Sequence, residues 1–299
     1  MIRFTCLTLS LLALGPPARA EATLCTAIAS LPHTITAPGI YCLKSSLAAA
    51  GTGITIDASD VTVDLNGYAL EVTVTGVTSH GRSNITVRNG TIRGGSYGVA
   101  LTGIGTSGNL VERMRVEGST ESGITIHGHG GVVRNNVVIG VGNTPNGDKA
   151  GIQASFGTGL RVSDNQVVDT GLTTPDQIEP VDASAARARV NAIRVPMPIP
   201  GQIVDAISVV DAPGAVIERN LVSNTAMMSS ELSAVGIRIY PTAGSTIPMT
   251  TTVVGNRIVN MTTGIDNSGA SSLYLKNAVS GAATPFTGGT LAGGTNHSF

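Results

Sequence analysis

The sequence predicts an all-β solenoid of about eight stacked coils, each built from three short parallel strands. Two interleaved repeats and a skewed composition carry this expectation. The first repeat is apolar-x-apolar, one or two polar residues, Asn, then a second short apolar run. It recurs as VTVDLNGYAL, ITVRNGTIRG, LVERMRVEG, VVRNNVVIG, RVSDNQVVD, VIERNLVSN, VVGNRIVN and YLKNAVSG. The aligned positions are Asn66, Asn89, Met114, Asn136, Asn165, Asn220, Asn256 and Asn277. Most of the steps between them are 21–29 residues, the length of one turn of a β-solenoid.

The second repeat precedes the first by about 13 residues. It is Gly-apolar-x-apolar, as in Gly53-Ile54-Thr55-Ile56, Gly98-Val99-Ala100-Leu101, Gly123-Ile124-Thr125-Ile126, Gly151-Ile152-Gln153-Ala154 and Gly236-Ile237-Arg238-Ile239. Gly76-Val77-Thr78, Ala206-Ile207-Ser208-Val209 and Gly264-Ile265-Asp266 are its other copies. Alternation within each run turns Ile and Val inward and the residue between them outward. A single coil cannot bury its apolar face, so neighbouring coils bury it together. The Asn positions are expected to sit at a tight bend, where Asn tolerates a left-handed backbone, and to form a ladder of side-chain amides. Met114 would be the one break.

Composition agrees. Of 299 residues 38 are glycine, charged residues are 12 %, aromatics are 3 % and tryptophan is absent. Val, Ile, Thr, Gly and Asn suit a narrow stacked core better than a sandwich or barrel built on aromatics. A six-residue period is absent, which argues against a left-handed β-helix, and propeller blades need longer units.

The three-strand coil with its Asn positions resembles the right-handed parallel β-helix of the pectin-lyase-like superfamily over roughly residues 53–285. The segment LCTAIASLPHTITAPGIYCLKSSL followed by GITIDASDVTVDLNGY is similar to the start of many secreted bacterial proteins of that kind. The resemblance implies a single-stranded right-handed parallel β-helix with an N-terminal cap over residues 21–52 and a tail or cap over 286–299.

Residues 1–20 read as a secretory signal peptide. Arg3 precedes an apolar run from Leu7 to Leu14, and Ala18-Arg19-Ala20 offers a cleavage site before Glu21. That run is too short to span a bilayer, and no later stretch reaches the roughly 20 apolar residues required. Removing it leaves Cys25 and Cys42, an even pair expected to form a disulfide in an exported chain. The expected location is the periplasm or the medium.

Formal charge is −1, and only three lysines occur, Lys44, Lys149 and Lys276, so a nucleic-acid partner is not expected. Asp57, Asp60 and Asp64 cluster in the first coils; turn-stabilising aspartates are preferred over a calcium site there. Otherwise no cofactor is evident.

Stacking the repeats gives outward columns. Between the two apolar residues of the Gly-Ile strand run Thr55, Thr78, Ala100, Thr125, Gln153, Ser208, Arg238 and Asp266. Just after the strand run Asp57, His80, Thr102, His127, Ser155, Val210, Tyr240 and Ser268. Just before it lie Tyr97, Ser122, Ala150 and Asp205. Insertions fall at 143–149, 169–205, 224–233 and 241–251, all beside this strand, where they would wall a groove. The superfamily resemblance places polysaccharide clefts on the same face.

The expected catalytic residues are therefore Arg238, Asp266 and Asp205, with Gln153, Ser208, Tyr240, Lys149 and His127 as substrate contacts. A β-elimination lyase needs a base and positive charge beside a uronate carboxylate, and a hydrolase needs two carboxylates. The sequence leaves open a polysaccharide-processing enzyme, a glycan- or surface-binding β-helix without catalysis, and a scaffold. Gly128-His129-Gly130 and Arg238-Ile239-Tyr240 are similar to polygalacturonase motifs. Asp205 follows His129, however, and Val204 replaces the first residue of the aspartate pair, so that family is rejected.

Overall fold

The computed structural model describes residues 24–142, 149–170, 203–224, 233–246, 248–267, 271–291 and 296–299. The segment 1–20 expected to be a signal peptide and most of the 169–205 insertion lie outside them. The described chain is all β, and every strand pairing in it is parallel. Ten strands stack into one sheet, from His33–Ile35 through Ser122–His127, Lys149–Ser155, Ile203–Val210, Ser233–Tyr240 and Thr263–Asn267 to Thr284–Gly288. The second and third strands of the coils make a nineteen-stranded sheet. This is the right-handed parallel β-helix solenoid the repeats predict.

Register follows the sequence columns. Ile124 pairs with Ile152, Ile152 with Ile207, Ile207 with Ile237 and Ile237 with Ile265, all fully buried. Val111, Val133, Val162 and Ile217 form the matching column of the second strand. Val116, Val138, Val167 and Val222 do so in the third. Each coil thus contributes apolar side chains to one continuous core, at about 1.5–3 kcal/mol per buried Val or Ile. The coils between 53 and 285 are continued by His33–Ile35 on Ile54–Ile56 and by Thr284–Gly288 on Thr263–Asn267.

The glycine that opens each first strand answers to space, not to backbone conformation. A Cβ on Gly123 would lie 2.5 Å from Val138 Cγ1 and 2.7 Å from the Gly151 carbonyl oxygen. Gly76, Gly98, Gly151, Gly236 and Gly264 meet the next coil's carbonyl equally closely. Gly123→Ala is expected to destabilise the fold by about 1–3 kcal/mol through overpacking, read as a lower urea midpoint.

The asparagine ladder is present but lies differently from the expectation. Among the described residues six form it: Asn136, Asn165, Asn220, Asn256, Asn277 and Asn296. The backbone N–H and the side-chain amide of Asn136 both donate to Asn165 Oδ1 at 3.0 Å, and the amide also donates to the Val111 carbonyl. The pattern repeats down the column. Met114 ends the ladder, donating its N–H to Asn136 Oδ1. The left-handed bend belongs to the preceding residue: Arg113, Asn135, Asp164, Arg219, Gly255 and Lys276 all have φ between 51° and 65°. Asn66 and Asn89 also hold left-handed bends, at φ 52° and 61°, and are exposed. They are therefore not rungs of the ladder; the inner position beside Met114 is Gly90, with Leu65 packed against it.

Cys25 and Cys42 form the expected disulfide, with Cα atoms 5.8 Å apart. Closing a loop of this length contributes about 3 kcal/mol.

Candidate functional site

The outer face of the ten-stranded sheet brings the predicted residues together. Ser208 pairs with Arg238 and Arg238 with Asp266, one coil apart each, and Asp205 lies on the edge column beside Ala150. Arg238 is the centre. Its Nη1 is 3.9 Å from Asp205 Oδ2 and its Nε is 3.8 Å from Asp266 Oδ2. Its guanidinium carbon lies 4.7 Å from the centre of the Tyr240 ring, a cation–π contact. Only 19 % of the Arg238 side chain and 2 % of that of Asp205 is exposed, so these charges act in a low dielectric.

Beside this cluster is a small recess of about 50 Å³, whose walls include Lys149, Gln153, Asp205, Ser208 and Tyr240. Its far end is formed by Tyr97 and Glu121. The Tyr97 hydroxyl donates to Glu121 Oε2 at 2.6 Å; that bond, then burial, pushes the phenol up to about 12. On five successive coils the face thus presents Glu121, Lys149, Asp205, Arg238 and Asp266, charges of alternating sign.

Glu121 was not among the expected site residues. It stands one position before Ser122, the same place that Lys149 occupies on the next coil. Carrying the edge column one residue further would have found it.

His127 is the expected contact that stands apart. It is not among the residues lining the recess and packs edge-on against Phe156, with ring centroids 5.0 Å apart. Burial, then the charge of His80, lowers its pKa, so the ring is neutral at pH 7. Its column does not reach Tyr240 until three coils later. His129 pairs with Thr158. Ser268 lies outside the described residues.

The acidic cluster of the first coils binds protein, not one common point. Asp57 pairs with Arg82, Asp60 accepts from Asn84, and Asp64 accepts from Arg88 and Asn89. Among the described residues no group of three His, Cys, Asp or Glu could hold a metal ion. On the nineteen-stranded sheet Glu112 binds Arg113 and Arg134, and Glu117 binds Arg93 and Arg115. No helix among the described residues is long and apolar enough to cross a membrane.

Fold and face together define a right-handed parallel β-helix protein, one of whose sheets carries a line of alternating charges. Residues 40–188 match the family model described as "Right handed beta helix region". Among solved structures the chain is similar to an alginate lyase from Paenibacillus sp. str. FPU-7, at 10 % identity and a TM-score of 0.48, covering 86 % of this chain and 98 % of that one. It is also similar to tailspike protein 2 of bacteriophage CBA120 (11 %, TM-score 0.46, covering 85 % and 38 %). A third is a mutant tailspike protein of E. coli bacteriophage HK620 (12 %, TM-score 0.46, covering 89 % and 52 %). The chain thus spans about half or less of each tailspike chain. No curated protein matches the sequence.

Proposed function

We propose that the protein binds and processes an acidic polysaccharide on the outer face of its ten-stranded sheet, with Arg238 at the centre. The observation that carries this reading is the placement of one largely buried guanidinium between two carboxylates, over an aromatic ring and beside a polar recess. A guanidinium is a fixed positive charge in proteins, so Arg238 anchors and neutralises an anionic group instead of abstracting a proton. Asp205 and Asp266 are then the acid and base. Their strands are two coils apart, about 10 Å between backbones, close to the 6.5–9.5 Å separation of an inverting hydrolase. Export through the leader at 1–20 agrees with the disulfide. A second reading, glycan binding without turnover, is favoured by one feature: Arg238 approaches both carboxylates at once and so partly neutralises the pair.

The test is a turnover screen of the chain from Glu21 to Phe299 on pectate, alginate, hyaluronan and related uronate polymers, with and without calcium. New reducing ends and the ultraviolet absorbance of unsaturated products are followed in parallel. Reducing ends without absorbance identify hydrolysis, whereas both together identify elimination. Binding with neither supports the second reading, and no binding to any polymer rejects both.

A further inference from the structure

Phe156 stands where the backbone disfavours it. The turn after each first strand opens on a stacked position: Gly81, Gly128, Phe156 and Asp211 each donate their N–H to the last residue of the next coil's first strand. All four are left-handed, with φ of 68°, 100°, 55° and 46°. Glycine and aspartate tolerate that conformation, whereas a bulky side chain is strained in it. Strain of this kind is kept where the side chain has a use. The ring is at the surface, 36 % exposed, and is one of only four phenylalanines. It is held in place. The His127 ring meets it edge-on, and the Gly103 N–H donates to His127 Nδ1 at 3.4 Å. The adjoining turns, 128–131 and 211–215, expose no other large apolar side chain. A single ring is too small a patch for a protein partner, but it matches the apolar face of one pyranose. Gln153, which lines the recess, lies three residues earlier in the chain, about 10 Å away along the strand direction.

We propose that Phe156 is a stacking platform for one sugar ring of the bound polymer, on the rim of the face beyond Gln153. This rests on the polysaccharide reading above. The C–H groups of a pyranose carry partial positive charge and pack on the negative face of an aromatic ring. The hydroxyls of the same sugar lie around its edge and stay hydrated. Phe156 thus adds an uncharged contact that extends the site from the recess to the turn, independent of the anionic groups that Arg238 holds.

The chain has no tryptophan, so Phe156→Trp places its only indole at this position. The probes are hexasaccharides of pectate, alginate and hyaluronan, followed by titration calorimetry and by indole emission. Phe156→Trp is expected to bind the preferred hexasaccharide at least as tightly as wild type, with an emission change that saturates at the calorimetric midpoint. Phe156→Asn removes the ring and keeps the left-handed bend, as Asp211 does on the next coil. It is expected to bind about five- to tenfold more weakly, the worth of one aromatic contact. Phe156→Gly, which carries the residue of Gly81 and Gly128, is the second ringless variant and should lose as much. Ringless variants that bind like wild type overturn the platform and leave the polysaccharide reading standing. An indole whose emission stays constant while the hexasaccharide binds does the same. Failure of wild type to bind any of the three hexasaccharides overturns the platform, and failure to bind every polymer of the turnover screen overturns the polysaccharide reading with it.

Discussion

Arg238→Met is expected to abolish turnover, lowering kcat/KM by at least 10²–10³-fold, the loss typical of removing one preorganised charge from a buried site. The guanidinium approaches Asp205 and Asp266 together and stacks over Tyr240. Methionine preserves much of the volume but none of the charge. Two effects separate in the measurement. Loss of the anchor for the substrate anion raises KM, whereas a disturbed acid and base pair lowers kcat. Stability should fall as well, by about 1–3 kcal/mol, because the almost fully buried Asp205 loses this cation. Arg238→Lys keeps a point charge without the planar fork and should recover only part of the activity. Asp266→Asn is the companion variant: a selective loss of kcat with KM unchanged places Asp266 in the chemistry. If turnover survives both substitutions, the reaction centre lies elsewhere on the solenoid. The measurements are steady-state kinetics on the polymer identified by the screen, with urea unfolding beside them.

The largest loss of stability is expected from Asn220→Leu, by roughly 3–5 kcal/mol, at the upper end of what single substitutions do. Asn220 Oδ1 accepts from both the backbone N–H and the side-chain amide of Asn165. Its own amide donates to the Val162 carbonyl and to Asn256 Oδ1. Leucine satisfies none of these, and each buried group left without a partner costs about 1–3 kcal/mol. Two controls fix the cause. Asn296→Ala, at the last described rung, loses the acceptor of the Asn277 N–H and amide but no bond to a further asparagine, and being half-buried it should cost less. Asn89→Ala, at an exposed left-handed bend, should cost about 1–2 kcal/mol, through backbone conformation and the loss of one exposed bond to Asp64. Urea midpoints rank the three variants, and equal losses at Asn89 and Asn220 would reject the ladder as the source of stability.

The contrast between Asn89 and Asn220 also shows where the sequence pattern misleads. Two adjacent positions of each coil accept Asn for different reasons. The first needs a left-handed backbone, and the second needs a buried amide that reaches both neighbouring coils. Asn135-Asn136 fills both, whereas Asn66 and Asn89 fill only the first. An aligned column of letters merges the two. His127 misleads in another way: its column was right, but its ring turns to Phe156, away from the recess. Glu121 was missed because the columns stopped at Ser122, one residue short of the sheet's polar edge.

The sequence by itself determined the solenoid, the length of its coils, the disulfide partners and the line Gln153, Ser208, Arg238, Asp266. The reason is periodicity: parallel strands in register place equivalent residues of successive coils side by side, so the repeat is already a contact map. Tertiary structure alone decided how close the charges come. Arg238 reaching two carboxylates on different coils, and Lys149 buried in the recess that Glu121 and Asp205 also line, depend on side-chain paths across the sheet. Strand register sets which residues are neighbours, but burial and distance set which of them interact.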